Sequence, residues 1–492
     1  MILQRFNYSV RLLRAVAYQE GAMSDSFVQT VQSEEHFDVV VIGGGTTGVC
    51  AALAAAKAGA KTAIIEYYGF LGGNAGTGIP WMAFHNYHKR QLVVKGIPLE
   101  IIERLRVVGG ASEFLFDPIL SSTIQVNSTW LKVILADMME ESGVTCFLHS
   151  LATGVEKDGT GLRSVIIQNK QGCQRLYAKA FVDCTDTGDI AVMAGADFEF
   201  GRRKDGKLQV ASYIHIIGDI DMEAFIGYLE KHPDQMRPHK FPEKDMQELL
   251  GRLRTTSLFS LGAFRDLTAQ AKRDGVDFDR DFLVGIAYPK NRELMLVTSR
   301  VENVDANNVA NFSQSEMTGV RQIKSIMEFV KKYVPGGQNA RLVTSGHQIG
   351  IRESRHIIGD YYLTGEDLMR GKHFEDAIAL GAYHLDIHTP DHKGLAPLKQ
   401  PPTYQIPYRC LLPKKVEGLL VAGRCISADH AAESSTRVIP ISGAQGQAAG
   451  AAAAIAAISN RPVRQIDVKR LQHLLIEQGA EIGQTLEQSV IP

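Results

Sequence analysis

Apolar residues fall in short runs, and the first clear one is Phe37–Ile42, FDVVVI, a β-branched segment of strand length. Gly43 ends it in a turn. Thr47–Ala58 then gives an Ala-rich stretch without proline, the composition of a helix, and Gly59 stands where a helix cap would close it. Lys61–Glu66 predicts a second short strand. Strand, glycine turn, helix and strand together predict a βαβ unit in a parallel sheet.

Further along, Trp130–Glu141 predicts a helix, and Val144–Leu148, Val165–Gln168 and Ala180–Asp183 predict short strands. Between Ala196 and Arg341 the alternation gives way to mixed strands and charged helices such as Asp245–Leu253, which marks the main part of a second domain. An apolar strand, GLLVAG, returns at Gly418, and an Ala/Gly-rich helix follows from Gly443. Roughly three domains fit this length at ordinary domain sizes.

Composition narrows the class of protein. Hydrophobic residues at 45% and charged residues at 22% exclude a mostly disordered chain. With a formal net charge of -1 there is no global positive field to draw in nucleic acid or an anionic membrane, so a small-molecule substrate fits better. The six cysteines, Cys50, Cys146, Cys173, Cys184, Cys410 and Cys425, form no CxxC pair. That spacing argues against zinc ribbons, iron–sulfur ligation and a local redox disulfide, and it reads as free thiols in a reducing, cytoplasmic setting. No apolar run suits a membrane span, because the best, Ile441–Ile458, is mostly Ala and Gly. Arg5, Arg11 and Arg14 with no acid before Glu20 suit either a transit peptide or a start placed ahead of Met23. Residues 1–36 are therefore set aside as an extension expected to be disordered.

Gly43, Gly45 and Gly48 have the GxGxxG spacing, with Thr47 at the helix start. Alone the pattern is weak; between a strand and a helix it points to a dinucleotide. The first glycine permits the tight turn, the second lets the backbone approach a pyrophosphate, and the third lets helix and strand pack closely. The helix N-terminus would hold the phosphates, and Glu66, at the end of the second strand, would accept hydrogen bonds from ribose hydroxyls. The glycine-dense loop Gly69–Gly78, with Gly72, Gly73 and Asn74, has few side chains to keep a cofactor away. Such a turn serves NAD and FAD alike.

Several stretches discriminate: VVVIGGGTTGVCAALAAAKAGAKTAIIE, GFLGGNAGTG, FVDCTDTGDIAVMAGADFEFGR, GIRESRHIIGDYYLT and GLLVAGRCISADHAAESSTRVIPISGAQGQAAGAAAA. From Asp38 to Ala457 the chain resembles FAD-dependent oxidoreductases whose first domain is like that of succinate dehydrogenase and fumarate reductase flavoproteins. The resemblance implies FAD as cofactor and an α/β fold. In that fold a Rossmann-like, glutathione reductase-like FAD-binding domain (37–195, returning at 411–458) carries an inserted α+β substrate domain (196–410), followed by a helical tail (459–492). It also implies that Gly423 and Arg424 lie beside the flavin and that Asp429 contacts its ribityl or phosphate part. The family usually has Gly where this chain has Asp186, which puts the local backbone path in question. Independently, Pro440–Gly443 opens the Ala/Gly-rich helix, and a helix N-terminus aimed at the flavin would stabilise its reduced, anionic form; close helix packing through small residues is the alternative.

For chemistry, Arg352-Glu353-Ser354-Arg355-His356 packs three basic side chains into five residues. On a helix Arg352 and His356 would share a face, Arg352 clamping a carboxylate and His356 exchanging a proton; an Arg–Glu structural network explains the same residues. His384, Asp386 and His388 would share one face of an extended strand, with His392 nearby. Asp386 orienting His388 as an acid/base pair is one reading of this cluster, a metal site another and ordinary loop histidines a third; no metal is assigned. The leading function is hydride transfer between a small organic substrate and FAD. The alternatives are an FAD-binding subunit passing electrons to a partner protein and a flavin-dependent RNA-modifying enzyme, the latter at odds with the near-zero charge. A homo-oligomer is compatible with each.

Overall fold

The computed structural model describes residues 31–118, 120–236, 243–391, 393 and 398–483. Its centre is a five-stranded, all-parallel sheet in the order Leu419–Val421, Ala180–Asp183, Val39–Ile42, Thr62–Ile65, Thr145–Phe147. Val39–Ile42 is buried along its whole length, which is why it reads as an unbroken apolar run rather than an alternating one. Burying each such Val or Ile contributes about 1.5–3 kcal/mol. The mixed α/β fold with a parallel sheet is that of a Rossmann-like dinucleotide-binding unit.

The helix after the first glycine turn is Thr46–Lys57, ended by Gly59 at φ +90°. Against it lies the late helix Ile439–Ser459, here called the closing helix. Both are built from small residues because they approach nearly backbone to backbone: a β-carbon on Gly450 would stand 1.9 Å from the Ala51 carbonyl oxygen. A second sheet, antiparallel and here called the roof sheet, runs in the order Phe259–Ala263, Leu283–Tyr288, Glu293–Leu296, His215–Gly218, Arg341–Ser345. All of its strands lie in sequence between Ala180–Asp183 and Leu419–Val421. Alternation divides its side chains. Leu261, Ala263, Leu283, Ala287, Leu294 and Leu296 pack on the helices behind it, whereas Ile286 and Met295 face the other way.

The extension set aside at residues 1–36 needs one correction. Val31–His36 is a strand, paired in parallel with Gly172–Tyr177 on the edge of a four-stranded sheet. Residues 1–30 lie outside the described residues, as does His392. Among the described residues no helix is long and apolar enough to cross a membrane.

Candidate active site: the glycine cradle and the cavity beyond it

Gly43 takes φ +100°, and a β-carbon there would stand 2.3 Å from the Cys184 carbonyl oxygen. Gly48 is held tighter: its β-carbon would meet the Gly43 carbonyl oxygen at 1.8 Å. The two glycines thus weld turn, helix and sheet together. Gly45 differs, for nothing lies within 4 Å of where its β-carbon would be. It is the N-cap of Thr46–Lys57 without a side-chain cap, so the helix N-terminus opens onto free space. Beside it the Thr46 hydroxyl is buried with no hydrogen-bond partner. An open cradle, an uncapped helix end and an orphaned hydroxyl fit a pyrophosphate.

Glu66 closes this cradle on one side. Its Oε2 accepts from Gly44 N at 2.6 Å and its Oε1 from Tyr68 N at 2.7 Å. Burial pushes its carboxyl up, against those backbone hydrogen bonds. It therefore ties the glycine-dense loop to the turn, a duty that the ribose role alone did not anticipate. Asp186 has φ +65°, the left-handed conformation that favours glycine, so the backbone follows a glycine's path although the residue is Asp.

One cavity of about 520 Å³ runs from the cradle to the roof sheet. Gly43, Gly45, Thr47, Glu66, Gly72, Gly73 and Asn74 line one end, and Arg352, Asp386, His388 and Arg424 line it further along. The remaining sequence candidates lie outside its wall. Gly423 packs against Thr47 and Asp186, and Gly443 against Pro98 and Cys50. The closing helix starts at Ile439, four residues before Gly443, and it is Val438, Ile439 and Ser442 that reach the cavity. Asp429 caps the helix His430–Thr436, accepting from Ala432 N at 2.7 Å, and also accepts from Gly365 N.

The expected helix through Arg352 and His356 does not form. The chain is irregular at Arg352 and becomes the strand Arg355–Ile357, so the two side chains part. His356 is buried behind the wall on Glu353, which it shares with His430, at 3.0 and 2.7 Å. Burial would raise the Glu353 carboxyl, but the hydrogen bonds to both imidazoles hold it well below the usual range. Likewise 384–388 is irregular rather than a strand: the His384 ring lies tilted against Tyr383, and Asp386 meets His388. Among the described residues no group of three His, Cys, Asp or Glu is placed to hold a metal.

His388 Nε2 lies 3.0 Å from Asp386 Oδ2, while its Nδ1 is buried without a partner. Burial, followed by the Arg352 guanidinium, lowers the His388 imidazole to about 3, so it is neutral at pH 7. Burial opposes ionisation of Asp386 too, but His388 and Arg437 hold its carboxyl far below the usual range. Nε2–H donating to an ionised Asp386 leaves Nδ1 as a free base. Arg352 Nη1 donates to Val210 O at 2.6 Å and to Ser212 Oγ at 3.0 Å. Arg437 also lines the cavity, its Nη2 3.5 Å from Asp386 Oδ2. No sequence signal joins Arg437 to Asp386, which lies 51 positions away.

The model of the FAD dependent oxidoreductase family matches residues 38–475. The chain belongs to that family. This flavoprotein is thus an FAD-dependent oxidoreductase, and FAD is the group its cradle fits. No curated protein matches the flavoprotein's sequence. Among solved structures, it is similar to a geranylgeranyl bacteriochlorophyll reductase-like protein from Thermoplasma acidophilum, at 12% identity over 91% of this chain and 85% of that one, TM-score 0.43. It is also similar to p-nitrophenol 4-monooxygenase from Pseudomonas putida, at 11% identity over 90% and 84%, TM-score 0.43. A flavoprotein/dehydrogenase from Cytophaga hutchinsonii gives 13% identity over 90% and 83%, TM-score 0.44. Likeness at this level transfers neither substrate nor chemistry.

Proposed function

We propose that this flavoprotein moves a hydride between a small organic substrate and FAD, with Arg352 anchoring the substrate and His388 handling its proton. One observation carries the reading: Arg352, Asp386 and His388 line the same cavity as the glycine cradle. Gly43, Gly45, Thr46, Thr47, Glu66 and the Gly72–Asn74 loop would hold FAD, with Arg424 toward its flavin end. When bound, FAD supplies the acceptor or donor of two electrons. His388 Nδ1 takes the proton of an alcohol or amine as it is oxidised, or returns it in the reverse direction, while Asp386 keeps the imidazole in the tautomer that frees Nδ1. The fixed guanidinium of Arg352 orients an anionic or carbonyl group so that the reacting carbon is presented repeatedly in one pose.

The same reading takes residues 196–410 as a substrate domain inserted into a glutathione reductase-like FAD domain, supported by the roof sheet's position in sequence between two strands of the parallel sheet. A cavity walled by that sheet favours a substrate of its own over an electron-transfer subunit with an exposed flavin edge. A cytoplasmic location, suggested by six unpaired cysteines, belongs to the proposal as well.

The test is anaerobic stopped-flow bleaching of the flavin band against a panel of hydroxy acids, polyols, amines and steroids. His388→Ala should slow reduction roughly a hundredfold while substrate still binds. Arg352→Lys should already impair turnover, because a point charge cannot reproduce the planar fork. Ordinary reduction rates in both variants would remove these two residues from the mechanism.

A further inference from the structure

We propose that the substrate is a small amphipathic monoanion, with one carboxylate seated at Arg352 and Arg437 and an apolar body laid along the roof sheet. The inference rests on the cavity being the substrate site.

Charge is unbalanced at one end of the cavity. Arg352 is fixed by two neutral acceptors, Val210 O and Ser212 Oγ, and among the described residues no carboxylate lies within ion-pair distance of it. Asp386 is shared between His388 and Arg437. Burial pushes the Glu433 carboxyl, 3.9 Å from Arg437 Nε, far up, and Arg437 Nε itself is a buried donor without a hydrogen-bond partner. Burial, then repulsion from Arg437 and Arg280, lowers the Arg352 guanidinium to about 9. A bound anion would relieve that cost, whereas a neutral ligand would leave it in place.

The other end offers almost nothing polar. Ser212, which holds Arg352, and Ile214 alternate along one extended segment and face the same way, about 7 Å apart at the usual strand rise. Beyond Ile214 the wall is Val284, Ile286, Met295 and Val297, with Ile286 opposite Met295 in the ladder. Ser260, the hydroxyl on this stretch, is already spent: its Oγ donates to Asp117 at 2.8 Å and its N–H at 3.0 Å. A polyol would strand its hydroxyls against these side chains, and a short dicarboxylate would press its second charge onto them. An anionic head followed within a few bonds by an apolar body satisfies both ends.

The FAD-loaded protein should be titrated with straight-chain alkanoates from acetate to decanoate, with octanol, with succinate and with sorbitol. Binding is read from the flavin difference spectrum and from the ligand-induced rise in Tm, neither of which needs turnover. Affinity for alkanoates should rise about three- to fourfold per methylene until the wall is covered, and octanoate should bind at least about tenfold better than octanol. Arg352→Gln and Arg437→Gln should each lose the preference for octanoate over octanol while keeping FAD and the chain-length dependence, which shows them folded. Met295→Ser should flatten the chain-length dependence and keep the preference for the carboxylate. Succinate or sorbitol binding more tightly than octanoate, no dependence on chain length, or an unchanged carboxylate preference in both arginine variants would overturn the proposal. If alkanoates bind as described but 2-hydroxy and 2-amino derivatives leave the flavin oxidised, the hydride-transfer reading fails and the ligand class stands. Bleaching by another donor with no alkanoate binding would keep hydride transfer and overturn the ligand class.

Discussion

Gly446 of the closing helix rests on the Thr47 carbonyl: a β-carbon there would stand 2.0 Å from that oxygen. The obstruction is backbone, which cannot swing aside, so Gly446→Ala should destabilise by about 1–3 kcal/mol or prevent folding. Gly45→Ala is its counterpart. It meets no protein atom and its φ of -62° suits alanine, so the apoprotein's urea midpoint should stay put while FAD affinity falls. Loss of apoprotein stability in the Gly45 variant would contradict the reading of that space as a phosphate cradle.

Glu66→Ala removes two acceptors at once, from Gly44 N and Tyr68 N. Leaving those donors unpaired should cost about 1–3 kcal/mol of stability as well as cofactor affinity. Glu66→Gln keeps an acceptor oxygen and should lose less of both, as urea titration and FAD titration would show.

Asp186 has a backbone conformation that side chains branched at Cβ adopt only under strain. Asp186→Gly should therefore hold or raise Tm, and Asp186→Val should lower stability by about 1–2 kcal/mol. Equal Tm values in the two variants would mean that the left-handed turn is not occupied in solution.

Burial holds His85 and His388 near 3 and His215 near 4, against 6.5 for a free imidazole. The unfolded chain takes up protons at these positions below pH 6.5 while the folded chain does not. Stability should thus fall as pH drops from 6.5 toward 4, by about 1.4 kcal/mol per pH unit for each such histidine. Urea midpoints across this range would reveal the slope, and His215→Leu should make it shallower.

The parallel sheet was legible because its signals are local: Phe37–Ile42 and Ala180–Asp183 announce buried strands by unbroken apolar runs, and Gly43 and Gly59 mark the turns between elements. Val31–His36, VQSEEH, was missed because neither face of it is apolar; a neighbouring edge strand recruits it through backbone pairing. Spacing failed where tertiary contacts set the backbone. Arg352 and His356 look like a helical pair in sequence, yet Phe198–Phe200 draws Arg355–Ile357 into a strand and turns His356 toward Glu353. Asp429 caps the helix His430–Thr436 and Gly443 packs the closing helix against Pro98 and Cys50, contacts that no local pattern announces. Asp386 and His388 come together without the strand that suggested them.

The closing helix also sets an order of events during synthesis. The Gly turn and its helix leave the ribosome early, yet the surface that covers them is made some 400 residues later, roughly 20–80 s at 5–20 residues per second. Until then the small-residue face of Thr46–Lys57 has no partner and the parallel sheet lacks its last strand, Leu419–Val421. The nascent chain must shield that face by other means, and a chain stopped before Leu419 would carry the entire GxGxxG signature yet lack the strand and helix that enclose it.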